Sequence, residues 1–174
     1  MNTSLNDKAR PVRLAIFDVD GVLTTGNLLY GPSGIEYKEF HVHDGQWMKY
    51  LLKSGVEIGI ITGCVSPIIA KRMQDLGIKY VHQGKQDKIA SYQEFKQQLN
   101  LTDEQISYIG DDLPDLPLIR KAGLGMTVAN APAIIKEHAA FITESKGGMG
   151  AAREVCELIM RAQGTYEPIV NSFL

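Results

Sequence analysis

The chain has 174 residues, a formal net charge of −2, and 44% hydrophobic and 22% charged residues. That balance excludes a disordered or fibrous protein, and the length suits one domain over residues 1–174 with a sizeable core. Near-neutral charge with scattered Lys and Arg excludes general attraction to a nucleic acid backbone or an anionic membrane, both of which need a concentrated positive field.

After a polar opening over 1–11, Arg13-Leu14-Ala15-Ile16-Phe17 is a short apolar run that stops at Asp18-Val19-Asp20-Gly21. This is the pattern of a buried strand ending in an acidic turn. Further runs are Val56-Glu57-Ile58-Gly59-Ile60-Ile61, ending in Thr62-Gly63, then 78–81, ending near Gly84, and Ile106-Ser107-Tyr108-Ile109, ending in Gly110-Asp111-Asp112. Residues 124–128 and 140–143 supply a fifth and a sixth strand. Helices are expected between them. Asp44 caps one over 45–54 that Gly55 ends, with Trp47, Met48, Leu51 and Leu52 as its packing face, and Ser66-Pro67 opens one that Gly77 closes. Residues 88–99 have helix-forming composition, and Thr102-Asp103-Glu104-Gln105 has capping-box spacing, read here as a short turn before a strand. Residues 114–122, 132–138 and 149–163 complete the helices. The alternation predicts an α/β fold: a doubly wound, mostly parallel sheet covered on both faces.

One insertion breaks the alternation. In residues 27–40, Leu28-Leu29-Tyr30 and Ile35-Glu36-Tyr37-Lys38-Glu39-Phe40 flank Gly31-Pro32-Ser33-Gly34, a hairpin signal. A lone two-stranded hairpin is only marginally stable in water, and this one carries large apolar side chains, so it is expected to pack on a neighbouring subunit.

Ligands bind at the carboxyl ends of strands in an open parallel sheet. Asp18 and Asp20 follow the first strand, Thr62 the second, and Asp111 and Asp112 the fourth, while Lys88 begins the helix after the third. Any one of these, taken singly, reads as a turn or cap residue; together they converge on one edge. Carboxylates gathered there repel one another unless a cation sits among them, and hard oxygen ligands suit Mg²⁺. A lysine and a threonine hydroxyl match phosphate oxygens, so the set predicts phosphoryl transfer through an aspartyl phosphate.

Asp18-Val19-Asp20-Gly21-Val22-Leu23-Thr24, Thr62-Gly63, Lys88 and Gly110-Asp111-Asp112-Leu113-Pro114-Asp115 resemble the four ordered motifs of the haloacid dehalogenase superfamily of phosphatases. The resemblance spans nearly the whole chain. It implies a Rossmann-like sheet with Asp18 as nucleophile and Asp20 as the acid and then the base. Thr62, with Gly63 beside it, would hold phosphate, and Lys88 would neutralise it and orient Asp18. Mg²⁺ would sit on the Asp18 and Asp111 carboxylates and the Asp20 carbonyl, with Asp112 orienting metal-bound water. Lys85 competes with Lys88 for the lysine role, and the Asp-Lys-Ile-Ala context favours Lys88.

The gaps between Asp20 and Thr62 and between Lys88 and Asp111 are too short to hold a cap domain. Capless, hairpin-bearing relatives with the segment seen here as Gly147-Gly148-Met149-Gly150-Ala151-Ala152-Arg153-Glu154 form the 3-deoxy-D-manno-octulosonate 8-phosphate phosphatase family, which the chain resembles. The resemblance implies hydrolysis of that phosphorylated sugar acid in lipopolysaccharide sugar biosynthesis. It also implies a homotetramer of packed hairpins, with the C-terminal region of one subunit reaching toward another's site. The tail 165–174 is then either a lid or a frayed end. Cys64 and His43 stand where such enzymes commonly carry arginine, which leaves a nonulosonate 9-phosphate or another sugar phosphate as the alternative substrate.

Other residues read more plainly. Arg153 either contacts substrate across a subunit interface or pairs with Glu157 along its helix. His41 and His43, two apart beside Asp44, read as a substrate-facing or surface pair rather than a metal site. Cys64 lacks a dedicated base, so it is not read as a nucleophile. Cys64 and Cys156 are too few for a disulfide framework, no apolar run reaches the length of a membrane span, and the opening lacks a signal peptide's apolar stretch, so a cytoplasmic location is expected. A phospho-accepting receiver domain or a catalytically weak structural subunit are the rival classes. A receiver places its acceptor aspartate after the third strand, where this chain has Tyr80-Val81-His82-Gln83-Gly84.

Overall fold

The short aliphatic runs become strands buried on both faces, as a sheet sandwiched between helices requires. The computed structural model describes residues 3–174. Its strands are β1 (Leu14–Phe17), β2 (Leu29–Tyr30), β3 (Glu36–Tyr37), β4 (Glu57–Ile61), β5 (Tyr80–His82), β6 (Ile106–Ile109), β7 (Leu124–Thr127) and β8 (Phe141–Ile142). The helices are α1 (Thr3–Ala9), α2 (Val42–Lys53), α3 (Pro67–Leu76), α4 (Lys88–Gln98), α5 (Leu116–Lys121), α6 (Ala133–Lys136), α7 (Ala151–Gln163) and α8 (Tyr166–Asn171).

The main sheet runs β5-β4-β1-β6-β7-β8 with every pairing parallel. From β1 the chain builds outward through β4 and β5, then crosses back and builds the other way through β6, β7 and β8. The reversal falls between β1 and β6, where Phe17 lies opposite Ile109. That is the point at which a doubly wound sheet opens a crevice at its carboxyl edge. Phe17 and Ile109, the last residues of the two strands that frame it, are fully buried and fix those ends. The expected hairpin forms as β2 and β3, antiparallel, with Leu29 opposite Tyr37. Leu28, Leu29, Tyr30, Ile35 and Tyr37 on it are all exposed.

Several local readings are corrected. Within the polar opening Thr3–Ala9 is helical, Ala9 and the following Val12 are buried, and Gln163 Nε2 donates to the Val12 carbonyl at 2.7 Å, tying this segment to α7. Met1 and Asn2 of that stretch lie outside the described residues. Residues 114–122 divide into a 3₁₀ turn at Leu113–Asp115 and the helix α5. α7 starts at Ala151 rather than Met149, because Gly150 at φ +109° is outside helical space. The tail is helical rather than frayed. It forms α8, with Tyr166 stacked on Trp47 at 5.4 Å and Phe173 5.8 Å from Tyr50.

Asp44 is the most instructive difference. α2 begins at Val42, so Asp44 sits inside its first turn instead of capping it. Its buried carboxylate accepts from the backbone N–H of Gly150 at 3.3 Å and of Arg153 at 2.8 Å. It therefore caps α7, the helix that packs against α2. Burial raises its pKa, and the Arg153 amide bond opposes that rise. Asp44→Ala is expected to cost about 1–2 kcal/mol, lowering Tm by about 2–4 °C per kcal/mol, as read by thermal denaturation.

Candidate active site

The loop leaving β1 is bent back on itself by the carbonyl of Val19, which accepts from the N–H groups of Val22, Leu23 and Thr24. Thr24 Oγ1 fastens the turn: it donates to that carbonyl at 3.3 Å and accepts from the Gly26 amide at 3.3 Å. Gly21, at φ +91°, lets the loop pass Asp111, since a Cβ there would lie 2.0 Å from Asp111 Oδ2. The Gly147-Gly148 segment backs the loop from outside. A Cβ on Gly147 would fall 1.7 Å from the Gly21 carbonyl oxygen, and the Gly148 amide donates to the Val22 carbonyl at 2.8 Å. Gly147→Ala is therefore expected to displace the loop that carries Asp18 and Asp20, and a shift near 1 Å to lower kcat/KM by about 100-fold, measured on protein shown to be folded.

These constraints deliver Asp18, Asp20, Thr62, Gly63, Lys88, Asp111 and Asp112 to one cleft, shared with Cys64, Lys85, Gln86, Pro114 and Asp115. Lys88 Nζ lies 3.0 Å from Asp18 Oδ1 and 2.6 Å from Asp115 Oδ1, with its side chain 7% exposed. Lys85, by contrast, is only half-buried at the cleft wall, so geometry puts Lys88 on Asp18. Thr62 is buried at the cleft, and its Oγ1 accepts from the Cys64 amide at 3.1 Å, which leaves its hydroxyl proton free to donate. Lys88 enters here because Asp87 caps α4, accepting from the Ile89 amide at 3.0 Å.

Asp115 is the residue to which sequence reasoning gave no role. Its Oδ1 accepts from Lys88 and from the Tyr108 hydroxyl, and its Oδ2 accepts from the amides of Asp111 and Asp112 at 3.1 and 3.2 Å. Both oxygens are thus engaged, and Asp115 fixes the lysine and the Asp111-Asp112 turn together. The available signal was a carboxylate four residues after Asp111, just behind Pro114.

Electrostatics show what this crowding costs. Burial, with the Asp115 charge adding to it, pushes the Asp18 carboxyl up to about 7, while Lys88 pulls the other way. Burial and the charges of Asp115 and Asp112 push Asp111 up to about 6. Lys88 itself is held above its ordinary value: burial acts against the charge, and Asp18 and Asp115 overcome it. Carboxylate oxygens of Asp18, Asp111 and Asp115 all lie within 4.8 Å of one another. With Asp115 already saturated by donors, Asp18 and Asp111 are the oxygens left for a cation.

Two candidates stand apart from the cleft. His43 is exposed on α2, edge-on to His41 with ring centroids 5.2 Å apart. Among the described residues, neither histidine belongs to a cluster able to hold a metal. Arg153 pairs with Glu157 at 2.7 Å along α7.

A model of haloacid dehalogenase-like hydrolases matches residues 66–155. The 3-deoxy-D-manno-octulosonate 8-phosphate phosphatase KdsC of Salmonella typhi is 39% identical over 164 residues, covering 94% of this chain and 87% of that protein. The chain belongs to this phosphatase family. Two family structures superpose closely. That of the Moraxella catarrhalis phosphatase, in complex with magnesium ion, phosphate ion and KDO, gives a TM-score of 0.97 at 37% identity, covering 100% of each chain. That of the Yersinia pestis phosphatase gives 0.93 at 40% identity, covering 95% of this chain and 89% of that one. As a member of this phosphatase family the chain has the expected fold: a parallel sheet between helices with a small hairpin and, among the described residues, no cap domain beside the cleft. Within the family frame, the carboxyl end of β5 carries no aspartate, which sets the site apart from a receiver's.

Proposed function

We propose that this chain hydrolyses 3-deoxy-D-manno-octulosonate 8-phosphate to the free sugar acid and phosphate, in lipopolysaccharide sugar biosynthesis. The observation that carries the reading is Lys88 bridging Asp18 and Asp115 beside Asp111 at the switch point of the sheet. Asp18 Oδ attacks phosphorus as the ester P–O bond breaks, and the leaving alkoxide takes the proton of the Asp20 carboxyl. Asp20, now a carboxylate, accepts a proton from water, whose oxygen attacks the aspartyl phosphate. The P–O bond to Asp18 breaks, phosphate leaves, and both aspartates return to their starting states. Thr62 and Lys88 hold phosphate oxygens throughout.

The donor set fits Mg²⁺: hard oxygens, two of them on carboxyls whose raised pKa values record an unmet demand for positive charge. Asp18 and Asp111 would hold it with the Asp20 carbonyl, and Asp112 would orient a water on it. When bound, it supplies charge that lets a carboxylate approach a dianionic phosphate. A carboxyl with a folded value above its unfolded one binds more protons in the native state. Between roughly pH 4 and 7 the metal-free fold therefore loses stability as pH rises. Mg²⁺ at 100 times its Kd is expected to add about 2.7 kcal/mol at pH 8 and little at pH 5, where protons hold the site. Tm with and without Mg²⁺ at the two pH values checks this.

The exposed hairpin supports assembly into a homotetramer, and the two free thiols, Cys64 and Cys156, suit a cytoplasmic enzyme. Cys64 on the cleft wall favours a second reading, in which a nonulosonate 9-phosphate is preferred, because a thiol supplies no charged fork for a substrate carboxylate. Comparing kcat/KM for the two sugar acid phosphates decides. A hundredfold preference for octulosonate 8-phosphate supports the first reading, and preference for the nonulosonate overturns it.

A further inference from the structure

Asp18 and Asp115 are clamped by Lys88, but Asp20 projects from a loop, its side chain 36% exposed. An acid–base group gains rate only if it is held in line with the oxygen it protonates. Among the described residues, one side chain hydrogen-bonds the Asp20 carboxylate: Lys38, whose Nζ lies 2.7 Å from Oδ1. Lys38 sits just past β3, where the hairpin returns to the body of the protein. Its side chain is 5% exposed, and Glu36 Oε1, 3.1 Å from Nζ, holds it from the other side. A side chain that is mobile on most surfaces is here buried between two carboxylates and aimed at the active site.

We propose that Lys38 is a positioning residue for Asp20. By occupying Oδ1 it fixes the carboxyl plane and leaves Oδ2 as the oxygen that carries the proton to the leaving group and later takes one from water. The hairpin is thereby part of the catalytic apparatus as well as an exposed apolar surface. This inference rests on the acid–base role given to Asp20 above.

The role predicts a loss that depends on the leaving group. Benzyl phosphate departs as an alkoxide and needs the proton, whereas 4-nitrophenyl phosphate departs as a stable phenolate and does not; the two are similar in size and neither carries a sugar. For Lys38→Met, kcat/KM on benzyl phosphate is expected to fall by about 10- to 100-fold, and on 4-nitrophenyl phosphate by less than about threefold. Asp20→Asn should show the same selectivity with a larger loss. The ratio between substrates is internal to each preparation, so partial unfolding lowers both rates together and does not imitate the effect. Equal losses in Lys38→Met, with Asp20→Asn still selective, overturn the positioning role alone. Equal losses in both variants overturn the acid–base assignment of Asp20 and this inference with it.

Discussion

Replacing Asp18 with Asn is expected to lower kcat by about 10⁴-fold or more, without loss of the fold. The amide keeps the shape of the carboxylate but is no nucleophile, and no neighbouring group substitutes for it: Asp115 has both oxygens occupied by donors, and Cys64 has its pKa raised, chiefly by burial. Stability should move in the opposite direction from activity. Burial and the Asp115 charge already disfavour an ionised Asp18, so the neutral amide relieves repulsion in the metal-free protein. A Tm at or above wild type, measured above pH 7 without Mg²⁺, is the expected companion of the lost turnover. An Asp18→Asn protein with near-normal turnover would remove the aspartate from the role given to it.

Lys88→Met is expected to damage stability and activity together. The lysine is the positive charge between two buried carboxylates, with Asp18 and Asp115 side chains 8% and 2% exposed. Removing one member of such a buried set leaves the others uncompensated and costs about 3–5 kcal/mol. At about 2–4 °C per kcal/mol the loss in Tm is readily measured. It should grow as pH rises through the values of Asp18 and Asp111 and shrink in Mg²⁺, which replaces part of the missing charge. A stability loss independent of pH would point to lost packing instead.

Much of the site is legible in the sequence because its residues sit one or two positions beyond a strand. Asp18 follows Phe17, Thr62 follows Ile61, and Asp111 comes two after Ile109, so recognising the strand also locates the residue at the edge. The remainder depends on contacts that no local pattern reports. Asp44 reads as the cap of its own helix, yet its partners lie 106 and 109 residues away. Asp115 gains its meaning only when β6 and α4 bring Tyr108 and Lys88 to it, the latter from 27 residues back. Lys38 hides in a hairpin whose apolar side chains announce a surface, and only the folded loop puts its ammonium on Asp20. His43 and Arg153 lie outside the cleft of their own chain, the first exposed on α2 and the second paired with Glu157, so any contact they make with substrate comes across a subunit interface.

The most direct test is to quench the enzyme in acid during turnover of octulosonate 8-phosphate with Mg²⁺ and locate the phosphoryl group by peptide mass spectrometry. A single phosphoryl group on the peptide carrying Asp18, absent in Asp18→Asn and accumulating in Asp20→Asn relative to its rate of formation, is the expected result. Phosphate released at full rate with no phosphorylated Asp18 peptide, or a phosphoryl group on another residue, would contradict the aspartyl-phosphate mechanism.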